Sequence, residues 1–467
     1  METDYLVIGA GASGMAFADT LLDEAPDAHI TLVDRHAKPG GHWNDAYSFV
    51  GLHQPSAFYG VNSMELGSLR KDEDGPNKGM YELASGPEIS AYYDKVMQQR
   101  MLPSGRVKFF PMSEYAGDGR IVSLLSGAVT QVGVRRKVVD ATRFSPTVPS
   151  THKRNFQVAD GVRVVPPNEL PQLWHTREGE TPPRAFCIVG AGKTAMDAGV
   201  WLLRHGVPPS AIHWVMPRDS WVQNRQCVQP GAEFFFHTIG GEASRMAAWA
   251  QGTSIDDVFL RMEKTGQMLR IDPSRTPTMY HYAILSTGEV ELLRSITQVI
   301  RMGRVESIEP GELVMQQGRA AMAPGTLYID CTASALQFRK AEPVFQGDRI
   351  TVQLLRAPLI TLSAAVTAYV EVHGADDAQK NEMCKPVPLP RNLAGYAPAT
   401  LVSMSNQMRW SQDAALRTWL RNSRLDGFGK LVADVGKDDA EKQEVLARLK
   451  TSAMAAVGNM QKLMAGG

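Results

Sequence analysis

Two glycine-rich turns, Gly9-Ala10-Gly11-Ala12-Ser13-Gly14 and Gly190-Ala191-Gly192-Lys193-Thr194-Ala195, lie 181 positions apart, each entered by a short apolar run and followed by helix-forming sequence. Such a turn joins a strand to a helix around a nucleotide pyrophosphate. The first Gly makes the tight turn, the second lets backbone approach the phosphates, and a small third residue lets helix and strand pack closely. The helix N-terminus then holds the anion. Two turns imply two dinucleotides, and so an α/β chain with two Rossmann-like units.

The residues behind each turn make the two sites unequal. In the first unit, strand Tyr5 to Ile8, a helix to about Glu24 and strand Ile30 to Val33 end in Asp34, 20 positions after Gly14, with Arg35 next to it. An acid there accepts hydrogen bonds from an adenosine ribose. In the second unit, strand Ala185 to Val189, a helix to Gly206 and strand Ile212 to Val215 lead to no acid but to Arg218, 23 positions after Ala195. A guanidinium at that place clamps a ribose 2′-phosphate, so the second site is read as one for NADPH rather than NADH. Lys193 and Thr194, inside the turn, are candidates for the same phosphates.

Val138-Val139-Asp140-Ala141-Thr142 and Tyr328-Ile329-Asp330-Cys331-Thr332-Ala333 look alike, two apolar strands breaking into small-residue turns. They bracket the second glycine turn, which predicts that one nucleotide domain is inserted in the sequence of the other. The expected division is a first domain over 1–180 and 320–400, a second over 181–319 entered through the linker Thr181 to Arg184, and C-terminal helices over 401–467. Helical pattern is also read between Gly240 and Arg270 and from Glu289 to Arg301. The amphipathic stretch Ala440 to Met464 is read as a helix that packs within the chain or pairs two copies as a homodimer, its charges being mixed rather than basic.

Lys plus Arg and Asp plus Glu both number 49 in the 467 residues, so no basic field points to nucleic acid or an anionic membrane. The acidic start Met1-Glu2-Thr3-Asp4 runs straight into a strand rather than a secretory signal. The closest approach to a membrane span, Ala357 to Val370, falls short of the roughly 18 apolar residues required and is closed by Glu371. The expectation is a cytoplasmic protein with no membrane partner. Cys187, Cys227, Cys331 and Cys384 form no close pair, against a zinc site or a redox-active disulfide, and no metal is expected.

Beyond Asp34 come Gly40-Gly41-His42-Trp43 and Gly51-Leu52-His53-Gln54-Pro55. A first glycine turn, an acid at the second strand end and a Gly-Gly-x-Trp element resemble the FAD domain of the flavin-containing monooxygenases and their relatives, the Baeyer–Villiger and N-hydroxylating monooxygenases. Gly190, Gly192, Ala195 and Arg218 are similar to the NADPH domain of that group. The likeness covers about Tyr5 to His53 and Ala185 to Arg218, runs weakly through Leu327 to Ala365, and does not reach the C-terminal helices. It implies FAD at Gly9, Gly11, Ser13, Gly14, Asp34, Arg35, Gly41 and Trp43. It further implies a monooxygenase that carries one atom of O2 to a small organic molecule through a flavin peroxide. His53, Gln54, Asn62 and Ser63 are the candidates for the flavin face, donating hydrogen bonds and excluding water. Ser363-Ala364-Ala365 is read as a helix start facing the flavin, and Arg275 with Tyr280-His281-Tyr282 as a substrate wall or a half-buried strand. The linker departs from the Phe-x-Gly-x-x-x-His signature of that group: after Phe156, Val158 and Val162 replace the Gly and His. A flavin reductase or NAD(P)H oxidase, and a flavoprotein that binds nucleotides without turnover, therefore stay open as alternatives.

Overall fold

The computed structural model describes residues 1–144, 146–174, 183–334 and 338–465. In the first unit, β1 (Glu2–Ile8) passes through its glycine turn into α1 (Ala12–Glu24), followed by β2 (Ile30–Val33), β3 (Val107–Phe110) and β4 (Gly133–Asp140). The second unit opens with β5 (Val164–Val165). Then come β6 (Phe186–Val189), α2 (Lys193–Arg204), β7 (Ile212–Val215), α3 (Phe235–Gln251), α4 (Ile255–Lys264), β8 (Gln298–Ile300) and β9 (Leu327–Asp330). The chain returns to the first sheet with β10 (Phe345–Gln346) and β11 (Arg349–Thr351). It ends in helices, among them α5 (Ile360–His373), α6 (Tyr396–Gln412) and α7 (Ala440–Ala465).

The two sheets share a plan. One runs β3-β2-β1-β4-β11-β10 and the other β8-β7-β6-β9-β5, parallel throughout apart from the β10–β11 hairpin. Strands β2, β6 and β9 are buried along their whole length, which is why they read as short apolar runs: parallel strands carry helices on both faces. The look-alike stretches prove to be β4 and β9, in the same place in each sheet. Ile8 stands opposite Asp140, and Val189 opposite Asp330. Each aspartate closes the same small turn: Asp140 Oδ1 accepts the Thr142 N–H at 2.9 Å and hydroxyl at 2.6 Å, and Asp330 Oδ1 those of Thr332 at 3.0 and 2.6 Å.

The insertion is therefore real, with wider limits than 181–319. β5 and β9 pair into the second sheet, so that unit reaches back to Val164 and on to Asp330. Of the expected linker, Thr181 and Pro182 lie outside the described residues. Glu289 to Arg301 is a helix only as far as Arg294, after which Gln298–Ile300 becomes strand β8 at the edge of the second sheet. The apolar run at 357–370 falls from Ile360 onward in α5, buried against α1 inside the first core, and no helix among the described residues is long and apolar enough to cross a membrane. The amphipathic C-terminal stretch, α7, lies along α3, with Val445, Ala456 and Met460 buried. Its apolar stripe is covered within the chain.

Candidate functional site

A cavity of about 1310 Å³ opens at the carboxyl ends of the second sheet, where parallel α/β sheets hold their ligands. Gly190, Gly192, Lys193, Thr194 and Arg218 form one wall. The loop after the first glycine turn forms another, through His42, Trp43, Tyr47, His53, Gln54 and Tyr59. Phe144, Val148, Leu354, Ile360 and Leu389 supply an apolar side.

At the second turn no heavy atom approaches within 4 Å of the place a Gly192 side chain would take, and α2 starts there without a side-chain cap. Its first N–H groups are thus available to an anion. Ala195 is fully buried and packs rather than lines the cavity. Arg218 stands three residues past β7, exposed on the cavity wall, and among the described residues nothing pairs with its guanidinium. The acid beside it, Asp219, is held by Arg301 through two 2.9 Å contacts, so it does not offset the charge that Arg218 presents to a cavity also lined by Arg154, Arg304 and Glu306.

Lys193 is placed differently from the expectation. Its ammonium is paired with Asp197, one turn along α2, and Tyr47 donates to the other oxygen of that carboxylate at 2.7 Å. All three side chains are largely buried, and Phe49 stacks on Trp201 of the same helix with ring centroids 5.1 Å apart. The loop of one unit is thereby fastened to the pyrophosphate helix of the other. Burial raises the Asp197 pKa, opposed first by Lys193. Lys193→Met strands that carboxylate, and a loss of about 3 kcal/mol is expected at neutral pH. A carboxyl with a raised folded pKa is destabilising when ionised and is relieved by protonation, so the deficit should shrink as pH falls. Urea unfolding of both proteins at neutral and acid pH checks it; a deficit that is absent, or that grows toward acid, contradicts the buried pair.

The first turn is closer-packed. The Cα of Gly11 would lie 2.9 Å from a Cβ on Gly41, so the Gly-Gly element folds directly over the turn, anchored by the Gly40 N–H to the Ala10 carbonyl at 2.8 Å. Helix α1 starts at Ala12 behind Gly11, with no side-chain cap, and Ser13 is buried in its first turn. Asp34 is buried, with Oδ2 accepting the Ala10 N–H at 2.6 Å and Oδ1 the His36 N–H at 2.8 Å. Arg35 turns outward to Glu114, 3.8 Å away. Trp43 lines the cavity and donates to the Tyr59 hydroxyl at 2.8 Å. Asn62 and Ser63 correct the expectation, since neither lines the cavity. Ser63 is tied to Asp19 of α1 through its hydroxyl at 2.5 Å and its N–H at 3.0 Å, and Asn62 accepts the Ser423 hydroxyl at 2.8 Å. Both hold helices to the loop.

His53 and Gln54 do line the cavity. Burial, then the cations Lys193 and Arg225, push the His53 pKa down to about 3; the ring is neutral near pH 7, a donor and acceptor rather than an acid. Tyr282, whose backbone hydrogen-bonds the His53 ring, holds φ of 58°, a left-handed backbone rare for a bulky residue, and its hydroxyl is buried beside Tyr396 with no partner among the described residues. His281 also lines the cavity, whereas Tyr280 sits in an aromatic core with Tyr396 and Phe259, and Arg275 is exposed beside Asp272. Helix α5 starts at Ile360, three residues before Ser363. The buried Ser363 hydroxyl accepts the Leu355 N–H at 3.0 Å and donates to the Leu359 carbonyl at 2.7 Å, so Ile360, not Ser363, reaches the cavity. Of the residues missed in the sequence, Asp197 had a signal, its i,i+4 spacing from Lys193; Tyr47 and Tyr59 had none.

Residues 7–62 match the family described as NAD(P)-binding Rossmann-like domain. The uncharacterized protein Rv2000 of Mycobacterium tuberculosis is 44% identical over 464 residues, which span 99% of this chain and 85% of that one. The chain belongs to the family of that protein. A probable FAD-binding monooxygenase, AlmA of Acinetobacter baylyi, is 30% identical over 96 residues, 21% of this chain and 17% of AlmA. The polycyclic ketone monooxygenase of Thermothelomyces thermophila, 11% identical, superposes over 99% of this chain and 87% of its own with a TM-score of 0.52. The two-domain fold of the flavin monooxygenases is the fold of this chain.

Proposed function

We propose that the chain binds FAD at the first glycine turn and NADPH at the second, and uses them to place one oxygen atom of O2 on a small organic molecule held in the cavity. One observation carries the reading: a single cavity is walled by the second pyrophosphate turn on one side and by the loop folded over the first turn on the other. Both helix N-termini lack side-chain caps, which suits two diphosphates. The named monooxygenases among its relatives support the same assignment.

Bound FAD supplies the electron transfer and oxygen chemistry that no side chain here provides. The chain binds, orients and dries the site. Arg218 and the start of α2 would hold the 2′-phosphate and pyrophosphate of NADPH, and Asp34 and the start of α1 would hold the adenosine ribose and pyrophosphate of FAD. The Trp43–Tyr59 pair fixes one wall. His53 and Gln54 present neutral hydrogen-bonding groups to the reacting region, and the apolar side keeps water from it. The oxidase alternative draws support from Val162, which is packed among apolar side chains where the monooxygenase signature has a histidine.

Anaerobic NADPH titration of the FAD-loaded protein, followed by air and a panel of ketones, sulfides and amines, separates the readings. Bleaching of the flavin, then O2 uptake with an oxygenated product, is expected. Hydrogen peroxide equal to NADPH consumed with every compound would establish the oxidase; a flavin that NADPH never bleaches would exclude both.

A further inference from the structure

His36 lies two residues past Asp34 with both ring nitrogens on carboxylates: Nδ1 is 2.8 Å from Asp34 Oδ1 and Nε2 is 2.9 Å from Asp45 Oδ2. A neutral imidazole donates through one nitrogen only and would set the lone pair of the other against an anion. A ring held this way is a cation, and the Asp34 contact, ahead of the opposing burial, raises its pKa. The arrangement also limits Asp34. Three of its roughly four acceptor positions are taken, by the Ala10 N–H on Oδ2 and by the His36 N–H and ring on Oδ1. One acceptor position on Oδ2 is left for a ribose hydroxyl.

Asp45 in turn belongs to the loop that carries Trp43 and Tyr47, and its carbonyl accepts the Ser150 hydroxyl at 2.6 Å and the Asn168 amide at 3.1 Å, from the segment that crosses to the second unit. The titratable groups facing the ring are Asp34 at the end of β2 and Asp45 and His42 on the turn after Gly41. Burial holds the His42 pKa down to about 4, so it adds no charge near neutrality. From beyond β3 the contact is backbone, the Met112 N–H to the His36 carbonyl at 3.0 Å. Arg35 and Glu114 pair with each other at the surface.

We infer that His36 is a positioning residue of the first dinucleotide site, which as a cation between Asp34 and Asp45 presets the one free acceptor of Asp34 and offsets two carboxylates beside the bound pyrophosphate. The inference rests on the reading of that site as one for FAD. Loss of the ring proton leaves both carboxylates uncompensated near an anionic ligand and sets a lone pair against one of them. Affinity for FAD therefore falls as pH rises through the titration of His36, and is retained below it.

The test is FAD binding to the deflavinated full chain, followed by flavin fluorescence between about pH 6 and about pH 9, with NADP+ binding at the second site as the check of folding. For the wild type, Kd should rise about tenfold per pH unit within the window set by the ring's free and FAD-bound pKa values. His36→Gln, which keeps hydrogen-bonding capacity without the charge, should bind at the weak high-pH level throughout. Asp45→Asn should move the fall to lower pH. A wild-type profile that is flat, or that His36→Gln reproduces, overturns the positioning role while leaving FAD at the site. A wild type that takes up NADP+ but no FAD at any pH overturns the reading of the first site, and the role of His36 with it.

Discussion

Gly14→Ala is expected to abolish FAD uptake and to lower the stability of the first unit by about 3 kcal/mol or more. A Cβ at Gly14 would lie 1.9 Å from the Gly9 carbonyl oxygen and 3.0 Å from its carbon, and those atoms are backbone inside the turn itself. Nothing there is a flexible side chain that can swing aside. Relief requires α1 to move off β1, which opens the core in which Met15, Phe17 and Leu21 are fully buried and displaces the helix N-terminus. The second turn gives the internal comparison: its third position is already Ala195, fully buried without distortion, so Ala195→Gly is expected to cost no more than about 1 kcal/mol. Urea midpoints and flavin content decide the matter. A Gly14→Ala protein that unfolds at the wild-type midpoint and retains flavin contradicts the packing at this turn.

Arg218→Ala is expected to raise the KM for NADPH by about tenfold to a hundredfold, the equivalent of roughly 1.5 to 3 kcal/mol for a charge-assisted phosphate contact, and to change the KM for NADH little. The selectivity follows from what the guanidinium lacks as much as from where it stands. It has no ion pair among the described residues to give up, and Asp219, which would repel a phosphate, is neutralised by Arg301. The companion change Arg301→Ala frees Asp219 and should therefore also weaken NADPH relative to NADH. Steady-state kinetics of the two variants with both nucleotides test this; equal effects of Arg218→Ala on the two nucleotides would remove the 2′-phosphate from the assignment.

The features legible in the sequence are those whose cause is local. A strand that must turn into a helix over a phosphate needs glycines at fixed spacing, and both turns could be read with the strands that lead into them. The twin Asp-x-Thr stretches were visible because each aspartate bonds a residue two positions on. What escaped depends on distant partners. Asn62 and Ser63 were drawn to the flavin by their place after the Gly-Gly element, yet Ser63 is claimed by an aspartate 44 positions away and Asn62 by a serine 361 positions away. The two-residue strand Val164–Val165 has too little pattern to announce a domain edge. The helix read from Glu289 begins at Thr287 behind a Ser286–Glu289 capping box, and nothing local marks its end before the strand at Gln298.

The return of the chain to its first sheet sets an order of assembly. Val139 finds its neighbour Ile350 about 210 positions later, after the whole second unit has been made. At about 10 residues per second, the edge of β4 stays open on the order of 20 s during synthesis, hydrogen-bonding groups unpaired. The second unit, whose strands from Val164 to Asp330 are complete before that edge is covered, is positioned to fold first and to deliver β11 to its place. The first sheet is then the last to be completed: a chain halted before Arg349 holds every strand of the second sheet and lacks β11 of the first.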